Sequence, residues 1–218
     1  MPLNIPILLT WLRIILIPLL IAIYYVPESW VQFVGRDLAA TVVFLVAAVT
    51  DWLDGYLARR WQQTSAFGAF LDPVADKLMV AAALIVLVQL GRLDAILAAI
   101  IIGREITISA LREWMAQIGA HRSIAVSMIG KIKTTAQMMA IPFLLYYAPL
   151  DGFDVFQAGT WLIYIAAVLT LWSMGYYMRM AWPHLIEEDK KALAARPTAA
   201  PTRRRRAADC APGIDRFR

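Results

Sequence analysis

Apolar residues run along this chain in long blocks, and polar residues gather mainly in the gaps between them. Six blocks stand out, approximately Leu8–Val26, Leu38–Leu57, Phe70–Leu90, Leu93–Ala110, Thr134–Tyr147 and Gln157–Tyr177. Most of them approach the ~20 residues that a helix needs to cross the hydrocarbon core of a bilayer. The fifth is short and has room to begin earlier, near Ile124. A backbone in lipid must satisfy its own hydrogen bonds, which leaves helices or a closed barrel. Blocks this long, without the turn signals that barrel strands show about every ten residues, choose helices. The predicted fold is therefore an all-α polytopic membrane protein with six transmembrane helices. Ahead of the first block, Pro2, Asn4, Pro6 and Thr10 predict a short N-terminal interfacial helix, with Trp11 and Arg13 near the headgroups. Past Glu187 the periodicity fades and Pro and Ala accumulate, so residues 1–186 read as one membrane domain and 187–218 as a disordered basic tail.

Composition sharpens this picture. The chain is 61% apolar and 17% charged, with a mean hydropathy of +0.62, whereas soluble domains carry about 25% charged residues. A large soluble core is excluded. The net charge of +5 does not point to nucleic acid, because Arg203, Arg204, Arg205 and Arg206 supply four charges in one run. Such a run beside a membrane domain attracts anionic headgroups or sets topology. One cysteine, Cys210, excludes an intrachain disulfide, and His121 and His184 make no metal-ligand pattern. The N-terminus lacks the basic region and small-residue cleavage site of a secretory signal. Arg59 and Arg60, then Arg112, Arg122, Lys131 and Lys133, then Arg179, Lys190 and Lys191 fall on alternate connections and the C-terminal side. Under the positive-inside bias both termini are predicted to be cytoplasmic, together with the Asp51–Asp76 connection.

That connection is where the chemistry gathers. Asp51, Asp54, Gly55, Ala58 and Arg59 stand at helical spacings that share one face, and Gly68, Asp72 and Asp76 share a face of the next helix. A short turn lets the two faces oppose each other. Four carboxylates brought together repel strongly unless something compensates them. Hard divalent cations such as Mg²⁺ or Mn²⁺ take oxygen ligands and leave room for phosphate oxygens, and no cysteine or paired histidine favours zinc. Gly55, Ala58 and Gly68 leave space for a flat or extended ligand along the same faces, although small residues also serve close helix packing. Two cations about 3.5–4 Å apart suit an in-line displacement at phosphorus.

The stretch D-x-x-D-G-x-x-A-R-x₈-G-x-x-x-D-x-x-x-D, from Asp51 to Asp76, resembles the signature of the CDP-alcohol phosphotransferases at every position and gap. The resemblance implies a six-helix membrane fold, often dimeric, with two divalent cations, Mg²⁺ or Mn²⁺, on Asp51, Asp54, Asp72 and Asp76. It further implies that Asp76 is the general base, and that Asp54, Gly55, Ala58, Arg59 and Gly68 help hold the CDP portion.

The signature leaves the acceptor alcohol open. Three further stretches, NIPILLTWLRIILIP, GREITISALREWMAQIG and GKIKTTAQMMAI, resemble the bacterial branch of that family that uses glycerol 3-phosphate, which implies CDP-diacylglycerol as donor and residence in the bacterial inner membrane. The residues agree with an anionic acceptor. Arg104 and Glu105 interrupt an apolar block, where charges are functional by default. Arg104, Arg112, Lys131 and Lys133 together suit a phosphate. Lys131 and Lys133 also read as topology charges, and Glu105 as a neutralising partner of Arg104. Serine or inositol phosphate as acceptor, and a divalent-cation transporter, are the rival readings. Clustering of the acids at one membrane face speaks against transport.

Overall fold

A computed structural model of the chain describes residues 5–27, 33–61, 66–118, 128–150 and 152–194. Six helices account for nearly all of them: α1 (Ile5–Tyr25), α2 (Phe33–Trp61), α3 (Ala66–Gln89), α4 (Ala95–Gln117), α5 (Met128–Tyr146) and α6 (Val155–Ala194). Each overlaps one predicted block. Three contain stretches long and apolar enough to cross a membrane: Leu8–Tyr25, Gly35–Leu57 and Val155–Glu187. In α3 and α4 the acidic and basic residues interrupt the apolar run, and α5 is the shortest helix. α1 is continuous from Ile5, so Thr10, Trp11 and Arg13 belong to it, and no separate helix precedes it among the described residues. Asn4, the connection holding His121 and Arg122, Arg203–Arg206 and Cys210 lie outside the described residues.

Residues 1–181 and 182–218 form two compact units. Within the first, α1 packs along α2 and α3, α5 lies against α2 and α3, and α4 lies against α3. Leu16, Leu20, Phe44, Ala47, Met79, Leu84, Leu87, Ile101, Ile141 and Leu144 form the buried core. Large apolar side chains also stand on the outer surface: Ile85, Val168 and Trp172 are 59%, 67% and 70% exposed. A soluble protein does not present such an exterior, and lipid explains it. In the second unit the described residues are the last part of α6. The helix runs to Ala194, past the Glu187 boundary drawn from hydropathy, because EEDKKALA is made of good helix formers even without an apolar stripe.

The connections at one end are tightly determined. α3 ends with Gly91 at φ 69°, Arg92 N–H donating to Leu87 O and Gly91 N–H to Val88 O, the Schellman arrangement that a left-handed glycine allows. Asp94 then caps α4 by accepting from Ile96 N–H at 2.8 Å. Arg92 itself is buried. It donates to Asp37 on α2 at 2.6 Å and to the carbonyls of Leu144 and Leu145 at the end of α5, and its guanidinium lies 4.3 Å from the Tyr147 ring centroid. One side chain thus ties three helices together at this end.

Candidate active site

Two carboxylates come from α2. Asp54 is buried and Asp51 is half-exposed, with its side chain 42% accessible. They share one guanidinium: Arg13 of α1, 1% exposed, reaches Asp51 Oδ1 with one terminal nitrogen at 2.7 Å and Asp54 Oδ2 with the other. One turn earlier on α1, Thr10 donates its hydroxyl hydrogen bond to Asp72 of α3. Asp51, Asp54, Gly55 and Asp72 line a cavity of about 480 Å³. Gly68 is buried on α3. The side chains of Ala58 and Arg59 lie outside the described residues, so the expected cytidine-side face is represented here by Asp54, Gly55 and Gly68.

Asp76 stands one turn further along α3. It borders a narrow crevice together with Arg13, Phe44 and Met79, and lies within electrostatic reach of both Asp51 and Glu105. Its other neighbour is a larger cavity of about 610 Å³, which it lines with Lys77, Arg104, Glu105, Arg112 and Gln137. Asp76 therefore lines the cation-rich cavity, while Asp51, Asp54 and Asp72 line the acidic one. Pro73, which cannot continue the hydrogen-bond ladder of α3, falls between Asp72 and Asp76.

The cations of the larger cavity are held in different ways. Arg104 is buried; it donates to Ser173 Oγ at 3.0 Å and to Glu105 Oε1 at 3.2 Å. Ser173 in turn donates to the Thr170 carbonyl. Arg112 is exposed, its guanidinium 5.7 Å from the Tyr177 ring centroid. Lys133 is fully buried and ion-paired with Glu105. Glu105 therefore holds a lysine from another helix in addition to its neighbour Arg104. The side chain of Lys131 lies outside the described residues.

Thr10 and Arg13, read from the sequence as part of an interfacial segment near the headgroups, are partners of the aspartates. Their signal was an arginine and a threonine three residues apart in an otherwise apolar helix, which lipid alone does not favour. Gln137 and Ser173 carried no comparable signal.

Among the described residues, no three acidic or histidine side chains gather around a single point. The donor chemistry nonetheless fits a hard cation: every candidate ligand is a carboxylate, and Arg13 already brings positive charge to two of them.

Residues 3–172 match the family described as CDP-alcohol phosphatidyltransferase. This chain belongs to the CDP-alcohol phosphatidyltransferase family. The family match begins ahead of α1 and ends within α6, so it encloses all the side chains of both cavities but leaves out the tail. Among similar members, a protein of Escherichia coli named CDP-diacylglycerol–glycerol-3-phosphate 3-phosphatidyltransferase is 50% identical over 190 residues, covering 86% of this chain and 100% of that protein. Proteins of the same name from Shigella sonnei and Shigella boydii show the same identity and coverage.

Proposed function

We propose that this chain transfers the phosphatidyl group of CDP-diacylglycerol to glycerol 3-phosphate, giving phosphatidylglycerol phosphate and CMP. Asp76 carries the reading: it lines a cation-rich cavity and lies within electrostatic reach of Asp51 on α2. The name shared by relatives of 50% identity supports the same donor and acceptor.

In this reading the nucleotide lies along Asp54, Gly55, Ala58, Arg59 and Gly68, with the acyl chains in lipid. Arg104 and Arg112 draw the acceptor phosphate into the larger cavity, and Lys131 and Lys133 add positive potential behind it. Asp76 accepts the proton of a primary hydroxyl as that oxygen bonds to the phosphorus bearing diacylglycerol. The bond from that phosphorus to the CMP oxygen breaks, and CMP departs with the electron pair. Asp51, Asp54, Asp72 and Asp76 would hold two divalent cations, Mg²⁺ or Mn²⁺, which supply positive charge to the pyrophosphate and to the departing phosphate. All six helices cross the bacterial inner membrane, the start of α1 meets the interface, both termini face the cytoplasm, and the enzyme works as a homodimer among its lipid substrates.

The test is CMP release by detergent-purified protein given CDP-diacylglycerol with glycerol 3-phosphate, serine or inositol phosphate. Release is expected with glycerol 3-phosphate alone, abolished by a chelator and reduced at least ~100-fold by Asp76→Asn. Turnover with serine would remove the acceptor assignment while keeping the family chemistry. Cation flux into liposomes without any CMP release would replace the enzyme reading altogether.

A further inference from the structure

Among the described residues, two buried polar atoms on side chains that line the larger cavity have no partner. Gln137 on α5 is 3% exposed, and its carbonyl Oε1 is buried with no donor in range. Arg104 on α4 is 6% exposed, and its Nε–H is buried with no acceptor in range. Both residues line the cavity, and neither atom satisfies the other. Buried polar groups are nearly always paired, and orphans signal a missing ligand or water. The wall therefore asks for a ligand that accepts a hydrogen bond at Arg104 and donates one at Gln137. A phosphate dianion meets the first demand and fails the second, because it has no hydrogen to give. A hydroxyl meets the second.

From this pairing, and resting on the acceptor assigned above, we infer that Gln137 determines acceptor specificity by receiving a hydrogen bond from the secondary hydroxyl of glycerol 3-phosphate. The assignment follows by donor accounting. The molecule has two hydroxyls and a phosphate. Its primary hydroxyl gives its proton to Asp76, and its phosphate oxygens face the cations. The secondary hydroxyl is the one remaining donor, and the Gln137 carbonyl is an unmatched acceptor on a residue that lines the same cavity. Gln137 lies one turn beyond Lys133 on α5, so the residue that reads the hydroxyl shares a helix with a cation behind the phosphate. That arrangement separates two tasks. The arginines capture any small organic phosphate, and Gln137 selects those with a hydroxyl next to the reacting carbon.

The probe is 3-hydroxypropyl phosphate, which keeps the phosphate and the primary hydroxyl but lacks the secondary one. Wild-type enzyme should prefer glycerol 3-phosphate over this probe by roughly 10- to 100-fold in kcat/KM, the range expected when a buried acceptor loses its donor. Gln137→Met, similar in shape but apolar, should lose that factor with glycerol 3-phosphate, keep its rate with the probe within about twofold, and so abolish the preference. Gln137→Glu retains an acceptor and should retain the preference. Without ligand, Gln137→Met should melt at the same temperature as the wild type or higher, since it removes an unsatisfied buried group. A wild type that treats both substrates alike sinks the proposal. So does a Gln137→Met variant that loses both substrates equally, or one that melts lower, which marks a merely structural residue. No turnover of glycerol 3-phosphate by folded wild type takes down the acceptor assignment and this proposal with it. Normal turnover with unchanged preference in Gln137→Met takes down this proposal alone.

Discussion

At the scale of single residues, Arg13 decides how the acidic cavity exists at all. Asp51 and Asp54 share its guanidinium, and it is 1% exposed. Removing one partner of a buried ion pair leaves an uncompensated charge and costs about 3–5 kcal/mol. Arg13→Gln is therefore expected to lower the melting temperature in detergent. If the aspartates hold a cation, the loss should be larger in chelator than in millimolar Mg²⁺, because that cation would replace the missing charge. Thermal unfolding followed with and without chelator checks this; equal losses in both conditions would contradict it. The aspartates themselves were legible in the sequence, since their three- and four-residue spacings fix a shared helix face. Their partners were not. Arg13 lies 41 residues from Asp54, and Thr10 lies 62 from Asp72, and hydropathy carries no record of which helices meet. Arg92 is a similar case: it stands in a short connection with no partner near it in sequence that predicts its burial, yet it is buried against Asp37, 55 residues away.

At the scale of elements, the helices were legible because lipid demands long apolar runs, while their contacts depend on individual close approaches. Gly159 on α6 is such a place. A Cβ added there would meet Phe143 Cβ at 2.9 Å, Leu144 Cγ at 3.1 Å and the Leu144 backbone nitrogen at 3.2 Å. Backbone cannot move aside as a flexible side chain does, so Gly159→Ala should destabilise by about 1–3 kcal/mol through overpacking. Gly103 on α4 gives the contrast, with nothing within 4 Å of an added Cβ. Gly103→Ala gains helix propensity of about 0.5–1 kcal/mol and should be neutral or stabilising. Denaturant unfolding of the pair in one detergent tests whether α5 and α6 touch where the structure has them touch. The Arg92 clamp makes a related expectation for the far end of the bundle. Arg92→Ala leaves Asp37 buried without its partner and should cost about 3–5 kcal/mol. CMP release per folded molecule should stay within about threefold of wild type, since the clamp lies away from both cavities. A large fall in turnover by correctly folded Arg92→Ala would mean that the clamp also sets the geometry of the site.

At the scale of the whole molecule, the side of the membrane on which the site opens follows from charge placement, and one native residue can report it. Arg59 and Arg60 flank the α2–α3 connection, and the C-terminal side of α6 carries Arg179, Lys190 and the Arg203–Arg206 run. If an even number of spans separates the termini, both lie on the basic side, and the acidic cavity opens there, where cytidine nucleotides and glycerol 3-phosphate are available. Cys210 is the single cysteine of the chain and lies in the basic tail. A membrane-impermeant maleimide should leave it unlabelled in intact spheroplasts and label it fully once the membrane is permeabilised. Truncation after Ala194 removes this reporter and the arginine run, yet should leave turnover unchanged, since the family match ends at residue 172. Labelling of Cys210 in intact cells would reverse the orientation. Either the number of crossings would then be odd, with one of α3, α4 or α5 failing to span, or the acidic cavity would open away from its substrates. Composition favours the first of these, because none of those three helices contains a stretch long and apolar enough to count as a span. A second cysteine placed in the connection between α1 and α2, in a Cys210→Ser background, separates the alternatives. It labels in intact spheroplasts when the chain starts on the cytoplasmic side, whether or not one of α3, α4 or α5 fails to span, and stays unlabelled in an inverted chain.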